Sequence, residues 1–303
     1  MLSLTVVILT YDEEIHIARA IGSVSGFARK IYVVDSFSND KTVDIARSLG
    51  AEVVQHAFVN QAKQLQWALD TLPIETDWIL RLDADEIVCP DLAVALQEQL
   101  PRLGLDVAGV YLKLMQIFMG RGMRYGGRYP LRLLRLWRRG QGQVENRWMD
   151  EHMVVSGGRT VTISGGFIDH NLKGLAFFTE KHNRYSTREA VQVMIQRLSL
   201  YPRDDRIKEN NRLHQVSVKR LIKENIYYKL PIHMAPFFLF IYRYFILCGF
   251  MDGSEGLSYH FLQGFWYRYL VGVKCLELQR AVAHLRDRDA IRAEISRLTQ
   301  LEI

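Results

Sequence analysis

Short apolar runs alternate with helical patterns over the N-terminal part of this 303-residue chain. Four runs have the length of buried strands, and they are residues 4–10, 31–34, 51–54 and 78–82. Between the first three runs, apolar residues recur at three- and four-residue spacing, as on one face of a helix. Strands that alternate with helices form a mainly parallel sheet with helices on its faces. The sequence therefore predicts an α/β fold.

Three of these runs end in carboxylates, which are Asp12, Glu13 and Glu14, then Asp35, and finally Asp83, Asp85 and Glu86. Open α/β sheets bind their ligands at the carboxyl ends of the strands. Because side chains alternate along a strand, Asp83 and Asp85 are expected to point the same way. Hard oxygen ligands of this kind suit Mg²⁺ or Mn²⁺ held beside a phosphate. An isolated Asp-X-Asp also occurs as a solvated turn, so the other motifs decide between the two interpretations.

Residues 7–14, 33–42 and 78–86 carry a more specific signal when they are taken together and in this order. The set resembles glycosyltransferase family 2, which has the GT-A fold. The resemblance implies a Rossmann-like, mixed and mainly parallel sheet with flanking helices over residues 1–215, and a helical region over 216–303. Within the family, the chain is most similar to bacterial lipopolysaccharide-core β-glucosyltransferases, which share an Asp-Glu-His segment and an aromatic, basic C-terminal tail.

The resemblance implies an inverting, metal-dependent enzyme. Such an enzyme moves a hexose from a nucleotide sugar, UDP-glucose or a similar donor, to a lipopolysaccharide-core, lipid-linked or exopolysaccharide acceptor. The metal, Mg²⁺ or Mn²⁺, is expected at Asp83 and Asp85, with His170 near it or near the diphosphate. The residues expected to bind the nucleotide sugar are Thr10, Tyr11, Glu13, Asp35, Lys63, Asp83 and Arg184. Asp35 is the expected acceptor for a uracil ring.

Two of these expectations have a simpler alternative. A lone histidine such as His170 is often structural. Lys181 and Arg184 share a helical face and could hold diphosphate oxygens, but surface charges show the same spacing. Asp40 precedes a helical pattern and is expected to cap that helix rather than to act in catalysis.

Adjacent carboxylates at Asp150 and Glu151 are the candidates for the general base. An inverting transfer needs a carboxylate that takes the proton from the acceptor hydroxyl. If the segment is extended, only one of the two can face the cleft. The resemblance favours Glu151 as the base, with Asp150 as the alternative. Ordinary loop acids would look the same in the sequence.

A net charge of +6 and a dense set of arginines between residues 121 and 147 suggest an anionic partner. No nucleic-acid-binding pattern is present in the sequence, so a nucleic acid is not expected. Most of these arginines are expected on a solvated strand face and turn. Arg128 and Arg132 follow two glycines and are candidates for contact with a diphosphate or an anionic acceptor.

Three scattered cysteines predict neither a disulfide framework nor a zinc site. The N-terminus lacks a basic segment followed by an apolar one, so no signal peptide is expected and the cytoplasm is the predicted location. Residues 231–250 are apolar and aromatic, but Pro236 and Arg243 interrupt them, so a spanning helix is not predicted.

Aromatic side chains mixed with lysine and arginine over this C-terminal region suit the lipid interface. The prediction is a peripheral protein on the inner face of the membrane, and an oligomer stays open. The alternative is a buried helical hairpin against the catalytic domain or in a dimer. Two other functions also stay open. One is a non-catalytic nucleotide-binding membrane scaffold. The other is a sugar-nucleotide nucleotidyltransferase, which should carry a glycine-rich, lysine-containing N-terminal loop that this chain lacks.

Overall fold

The computed structural model describes residues 1–144, 153–201, 234–301 and 303. The chain divides into two compact units, Met1–Gly174 and Leu175–Ile303. The predicted division after residue 215 lies outside the described residues and stays a prediction.

A mixed sheet organises the first unit. Its strands are β1 (Leu2–Thr10), β2 (Ala28–Asp35), β3 (Glu52–Gln55), β4 (Trp78–Asp83), β5 (Glu86–Val88), β6 (Val107–Phe118), β7 (Arg121–Gly122), β8 (Leu131–Arg138) and β11 (Arg159–Asp169). Their order is β3-β2-β1-β4-β8-β6-β11-β5, with β7 paired to β6. The first four are parallel, whereas β8 runs antiparallel to both β4 and β6. A separate pair joins β9 (Gly142–Val144) to β10 (Met153–Val155).

Helices cover both faces of the parallel strands. On one face, α1 (Ile17–Ser25), α2 (Thr42–Ser48) and α4 (Pro90–Gln99) share a core with the side chains of Val6 and Ile8. On the other face, α3 (Gln61–Thr71) packs with Val7 and Leu9. Because successive side chains of a strand point to opposite faces, a sheet covered on both sides needs continuous apolar runs. The predicted mixed sheet with flanking helices is confirmed.

The second unit is helical, as predicted for the C-terminal region. It contains α5 (Gly174–Arg197), α6 (Met234–Ile241), α7 (Gly253–Tyr259), α8 (Tyr267–Val282) and α9 (Arg288–Thr299). Two π turns, Tyr242–Ile246 and His260–Trp266, and a 3-10 turn, Gly249–Asp252, connect α6, α7 and α8. Val191, Met194, Cys275, Leu278 and Ile295 are buried in a core shared by α5, α8 and α9.

No single helix in the described part of the chain has the length and apolar composition to cross a membrane. One pair of segments, Met234–Ile246 and Gly249–Val282, meets those criteria only when taken together, and the pair is bent by 73°.

Candidate functional site

Three of the predicted site residues lie side by side at one edge of the sheet. In the strand register, Thr10 pairs with Asp35 across β1 and β2, and Leu9 pairs with Asp83 across β1 and β4. The backbone N–H of Ser36 donates to the carbonyl oxygen of Thr10 at 3.0 Å, which holds the two strand ends together. The chain leaves β1 for β2 on one side and later returns to β4 on the other. The edge beside β1 is therefore the switch point where open α/β sheets bind ligands.

Asp83 is held between two arginines. Its Oδ1 accepts from Nε of Arg81 at 3.2 Å, and its Oδ2 accepts from Nη2 of Arg135 at 3.2 Å. Burial opposes the charge, but the two guanidinium groups outweigh it and hold the pKa of Asp83 well below its usual range. The Asp83 side chain is therefore an oriented carboxylate at neutral pH.

Glu86 fixes the turn that follows β4. Its Oε2 accepts the backbone N–H of Asp83 at 2.8 Å, and its Oε1 accepts from Nη2 of Arg135 at 2.6 Å. Burial raises the pKa of Glu86 to about 8, although Arg135 acts in the opposite direction. The expectation that the arginines of this stretch lie on a solvated strand face is wrong for Arg135, which is 8% exposed. Its strand, β8, pairs with β4, and this places the guanidinium beside the two carboxylates.

Asp85 lies in the turn between β4 and β5 rather than in a strand, so the expectation based on strand alternation does not apply to it. Its Oδ2 accepts from Nδ2 of Asn171 at 3.0 Å, and its carbonyl oxygen accepts the N–H of His170 at 3.0 Å. Burial lowers the pKa of His170, and the charge of Arg19 lowers it further, which favours the neutral imidazole.

The described residues contain no group of three or more histidine, cysteine, aspartate or glutamate side chains arranged to hold a metal ion. The trio of Asp83, Asp85 and His170 is thus not assembled as one cluster. Mg²⁺ usually takes only one or two protein carboxylates and completes its shell with water and substrate phosphate. The oxygen donors of Asp83 and Asp85 fit that chemistry.

Residues 170–173, which follow β11, are fastened to the loop after β1. Nζ of Lys173 donates to the carbonyl oxygen of Asp12 at 2.6 Å and to Oε1 of Glu13 at 2.9 Å. The buried His16 accepts the N–H of Leu172 on its Nε2 at 2.8 Å. Its other nitrogen, Nδ1, therefore carries the proton and donates to Oε2 of Glu13.

The same segment of residues 170–173 is also held by α1, because Nη2 of Arg19 donates to the carbonyl oxygen of His170 at 2.9 Å. Together with the contacts of Asp85, these bonds connect the loop after β1 to the turn after β4. The predicted residues Glu13, Asp85 and His170 thus belong to one polar network.

The predicted base-binding residues line the ends of β1 and β2. Asp35 is fully buried and accepts from the backbone N–H of Ser38 at 2.9 Å, from the Ser38 hydroxyl and from Nε2 of Gln55 at 3.0 Å. Thr10 Oγ1 is buried and has no hydrogen-bond partner in the part of the chain that the structure describes. Tyr11 is 53% exposed. The ends of β1 and β2 thus carry an oriented carboxylate, a buried hydroxyl and an accessible aromatic ring.

Two further predicted residues lie on helices. Lys63 is exposed on the first turn of α3. Arg184 lies on α5 in the second unit, where it forms an ion pair with Glu180 at 3.7 Å. Asp150 and Glu151 lie outside the described residues. Arg128 donates to Oε1 of Gln116.

Arg132 is exposed on β8. The N-cap of α2 is Lys41 rather than the predicted Asp40, but Oδ1 of Asp40 accepts the N–H of Thr42, the first residue of the helix, at 2.9 Å and so caps that N–H.

An α/β sheet with carboxylates and a buried hydroxyl at its switch point has the chemistry of a site for a polar ligand. The sequence matches glycosyl transferase family 2 over residues 5–247, and the chain belongs to this family. The expected family is therefore confirmed, whereas the closer resemblance to lipopolysaccharide-core enzymes stays a prediction.

Curated relatives carry the same general description. An uncharacterized glycosyltransferase of Rickettsia bellii (strain RML369-C) is 44% identical over 93 residues, which are 31% of this chain and 30% of the relative. Another, from Rickettsia typhi (strain ATCC VR-144 / Wilmington), is 37% identical over 100 residues, or 33% of this chain and 32% of the relative. The chain thus matches about a third of the length of these relatives.

Among solved structures, glucosyl-3-phosphoglycerate synthase from Mycobacterium tuberculosis, in complex with Mn²⁺, UDP and glucosyl-3-phosphoglycerate, matches with 22% identity and a TM-score of 0.30. The match covers 37% of this chain and 43% of that one.

Proposed function

We propose that this chain is an inverting, metal-dependent hexosyltransferase with a GT-A fold, and that its donor is a nucleoside-diphosphate sugar, UDP-glucose or a close analogue. The observation that carries the proposal is the register at the sheet edge, where Thr10 lies beside Asp35 and Leu9 beside Asp83. Asp35, the proposed base-binding carboxylate, and Asp83, the proposed metal-binding carboxylate, are thus on two strands that both pair with β1. Because the chain belongs to glycosyl transferase family 2, we infer that the ligand of these carboxylates is a nucleotide sugar and its metal.

The nucleoside is proposed to bind at the ends of β1 and β2. Asp35 is oriented by Ser38 and Gln55, which both donate to its Oδ2, and its Oδ1 accepts from the Ser38 hydroxyl and keeps a second lone pair for the N–H of a uracil ring. The buried hydroxyl of Thr10 lacks a partner among the described residues, so a ligand that supplies one is favoured. Tyr11 presents an aromatic face beside it, and Glu13 completes the expected ribose side.

The diphosphate is proposed to bind at the turn after β4, where Asp83 and Asp85 would hold Mg²⁺ or Mn²⁺. When bound, the metal offsets the negative charge that develops on the departing nucleoside diphosphate. The protein contributes orientation here. Arg81 and Arg135 fix the Asp83 carboxylate, and Asn171 fixes that of Asp85. Lys63 and Arg184 stay proposed contacts of the donor.

Glu151 is proposed to take the proton from the acceptor hydroxyl, with Asp150 as the alternative base. The acceptor oxygen then forms a bond to the anomeric carbon while the bond from that carbon to the diphosphate breaks on the opposite face. A single displacement of this kind inverts the anomeric configuration. The proposed acceptor is a lipopolysaccharide-core, lipid-linked or exopolysaccharide precursor at the cytoplasmic face of the inner membrane.

The test is the release of nucleoside diphosphate from UDP-glucose in the presence of a glycolipid extract, with UDP binding measured on the same variants. Glu151→Gln should lower the transfer rate by about 10²- to 10⁴-fold and leave UDP affinity unchanged, because it removes only the base. Asp150→Asn is the matched control and should retain transfer. If Glu151→Gln and Asp150→Asn both transfer normally, the assignment of the base is wrong. UDP binding without release from any nucleotide sugar would favour a non-catalytic scaffold.

A further inference from the structure

The segment from residue 234 to residue 261, called here the aromatic hairpin, exposes apolar side chains. Eleven of its residues are exposed, and ten of these are large and apolar, the other being Ser254. The ten are Met234, Phe237, Phe238, Tyr242, Phe245, Ile246, Phe250, Met251, Leu257 and Phe261, each 45–66% exposed. Contiguous exposed patches of this kind mark sites of protein or membrane contact.

The charged residues and the histidine of the aromatic hairpin, which are Arg243, Asp252, Glu255 and His260, are buried or half-buried. Asp252 is 2% exposed and His260 is fully buried. Arg243 is half-buried and donates from Nη1 to Oε1 of Gln263 at 3.1 Å. Between residues 234 and 261, no charged side chain is among the exposed ones. A helix that faces water shows the reverse pattern, with charges outside and apolar residues inside.

Four of the outward side chains form a stripe along one helical face. Met234, Phe238, Tyr242 and Phe245 recur at three- and four-residue spacing, so they share one face along α6 and the π turn after it. Behind this stripe, Phe240 and Tyr244 are half-buried and stack with ring centroids 5.4 Å apart. The stripe is therefore backed by packed aromatic side chains.

We propose that the exposed face of the aromatic hairpin lies in the surface of a membrane that contains anionic lipids. The inference goes beyond sugar transfer and does not depend on it. Two features favour lipid over a protein surface. The face offers neither charge nor a pattern of exposed polar groups that a protein partner could pair with, and phenylalanine with tyrosine suits the interfacial zone.

The bend between the helical segments and the basic residues that precede them in the sequence both agree with contact to lipid. The helical segments of this region have the composition of a span only together, and their 73° bend fits a hairpin that lies in the interface. The sequence just before the aromatic hairpin carries Lys219, Arg220, Lys223 and Lys229. Basic residues that are close in sequence to a membrane-contacting segment are attracted to anionic headgroups.

The test is flotation of the full chain with vesicles of phosphatidylcholine alone or of phosphatidylcholine mixed with phosphatidylglycerol. The wild-type chain should float with the mixed vesicles and less with the neutral ones. For the triple variant Phe237→Ser, Phe245→Ser, Phe250→Ser, the partition coefficient into the mixed vesicles should be about a hundredfold lower. The reason is that three half-exposed rings no longer become buried in lipid. The control replaces three apolar residues of the first unit that are at least as exposed, Val94→Ser, Leu105→Ser and Met119→Ser, and should float like the wild type.

A second measurement does not depend on the stability of the triple variant. Ile246→Trp adds an indole at the most exposed position of the aromatic hairpin, and brominated lipids should quench the added emission. Leu105→Trp in the first unit is the control and should not be quenched. The proposal is overturned if the wild-type chain binds neither vesicle, if the hairpin variant binds as well as the control, or if Ile246→Trp is not quenched. A dimer that the triple variant dissociates, without vesicle binding by the wild type, would instead show that a second copy covers this face.

Discussion

Asn171 donates from its Nδ2 to Oδ2 of Asp85 at 3.0 Å, and this bond joins residues that are 86 positions apart in the chain. The N–H of His170 reaches the Asp85 carbonyl oxygen at the same distance. The segment after β11 therefore orients the turn after β4. Residues 170–173 also form hydrogen bonds with Asp12, Glu13 and His16. The same segment therefore contacts both the loop after β1 and the turn after β4.

Asn171→Ala should weaken metal-dependent UDP binding about tenfold, because partners that orient a metal-binding carboxylate typically contribute 10- to 100-fold in affinity. Calorimetric titration of UDP with and without Mn²⁺ measures this effect. The affinity measured without metal should not change. Gln97→Ala, an exposed amide on α4, is the control. An equal loss with and without Mn²⁺ would show that Asn171 acts on the nucleotide rather than through Asp85.

Arg135→Met should lower the free energy of unfolding by roughly 3–5 kcal/mol, because it removes a buried guanidinium that donates to Glu86 and to the charged Asp83, for which Arg81 then remains as the buried cation. Urea denaturation at pH 7 measures the change. Arg132→Met is the matched control. It lies on the same strand but is exposed, and a change within about 0.5 kcal/mol is expected. Equal, small losses for the two variants would contradict the structural role given to Arg135.

Asp40→Ala should lower the free energy of unfolding by about 1 kcal/mol at pH 7, since it removes the side chain that caps the N–H of Thr42 at the start of α2. Burial would raise the pKa of Asp40, but hydrogen bonds from Thr42 and the N–H of Glu14 lower it below its ordinary value of 3.8. The stabilisation is thus present above the unfolded pKa and is lost as the pH falls through the folded pKa.

The difference between the wild type and Asp40→Ala should therefore shrink between pH 7 and pH 3 in urea titrations. Glu98→Ala, at an exposed position near the end of α4, controls for the loss of a carboxylate. A difference that persists unchanged at pH 3 would assign the effect of Asp40 to helix propensity rather than to its ionised side chain.

The parts of the fold that local sequence determines were predicted well. Residues 4–10, 31–34 and 78–82 are apolar on both faces, and they lie within β1, β2 and β4. No strand was predicted at β6, although Val110, Leu112 and Leu114 alternate there with half-buried positions, whereas the place of β6 between β8 and β11 is set by tertiary pairing.

In the candidate site too, some residues could be predicted from local sequence and others could not. Asp35 and Asp83 could be predicted because each ends its own strand. Arg135 and Glu86 are 49 residues apart and His16 and Leu172 are 156 apart, so only tertiary pairing brings them together. The spacing of the arginines on β8 gave no signal that one of them is buried, since a charged residue is usually solvated.

The most direct test of the account is calorimetric titration of UDP, GDP, CDP and dTDP into the wild-type chain and Asp85→Ala, each with and without Mn²⁺. The account predicts that UDP binds, that Mn²⁺ strengthens the binding, and that Asp85→Ala removes the metal-dependent part. The absence of binding by every nucleotide, with Mn²⁺ or without it, would contradict the proposed donor site at the edge of β1, β2 and β4.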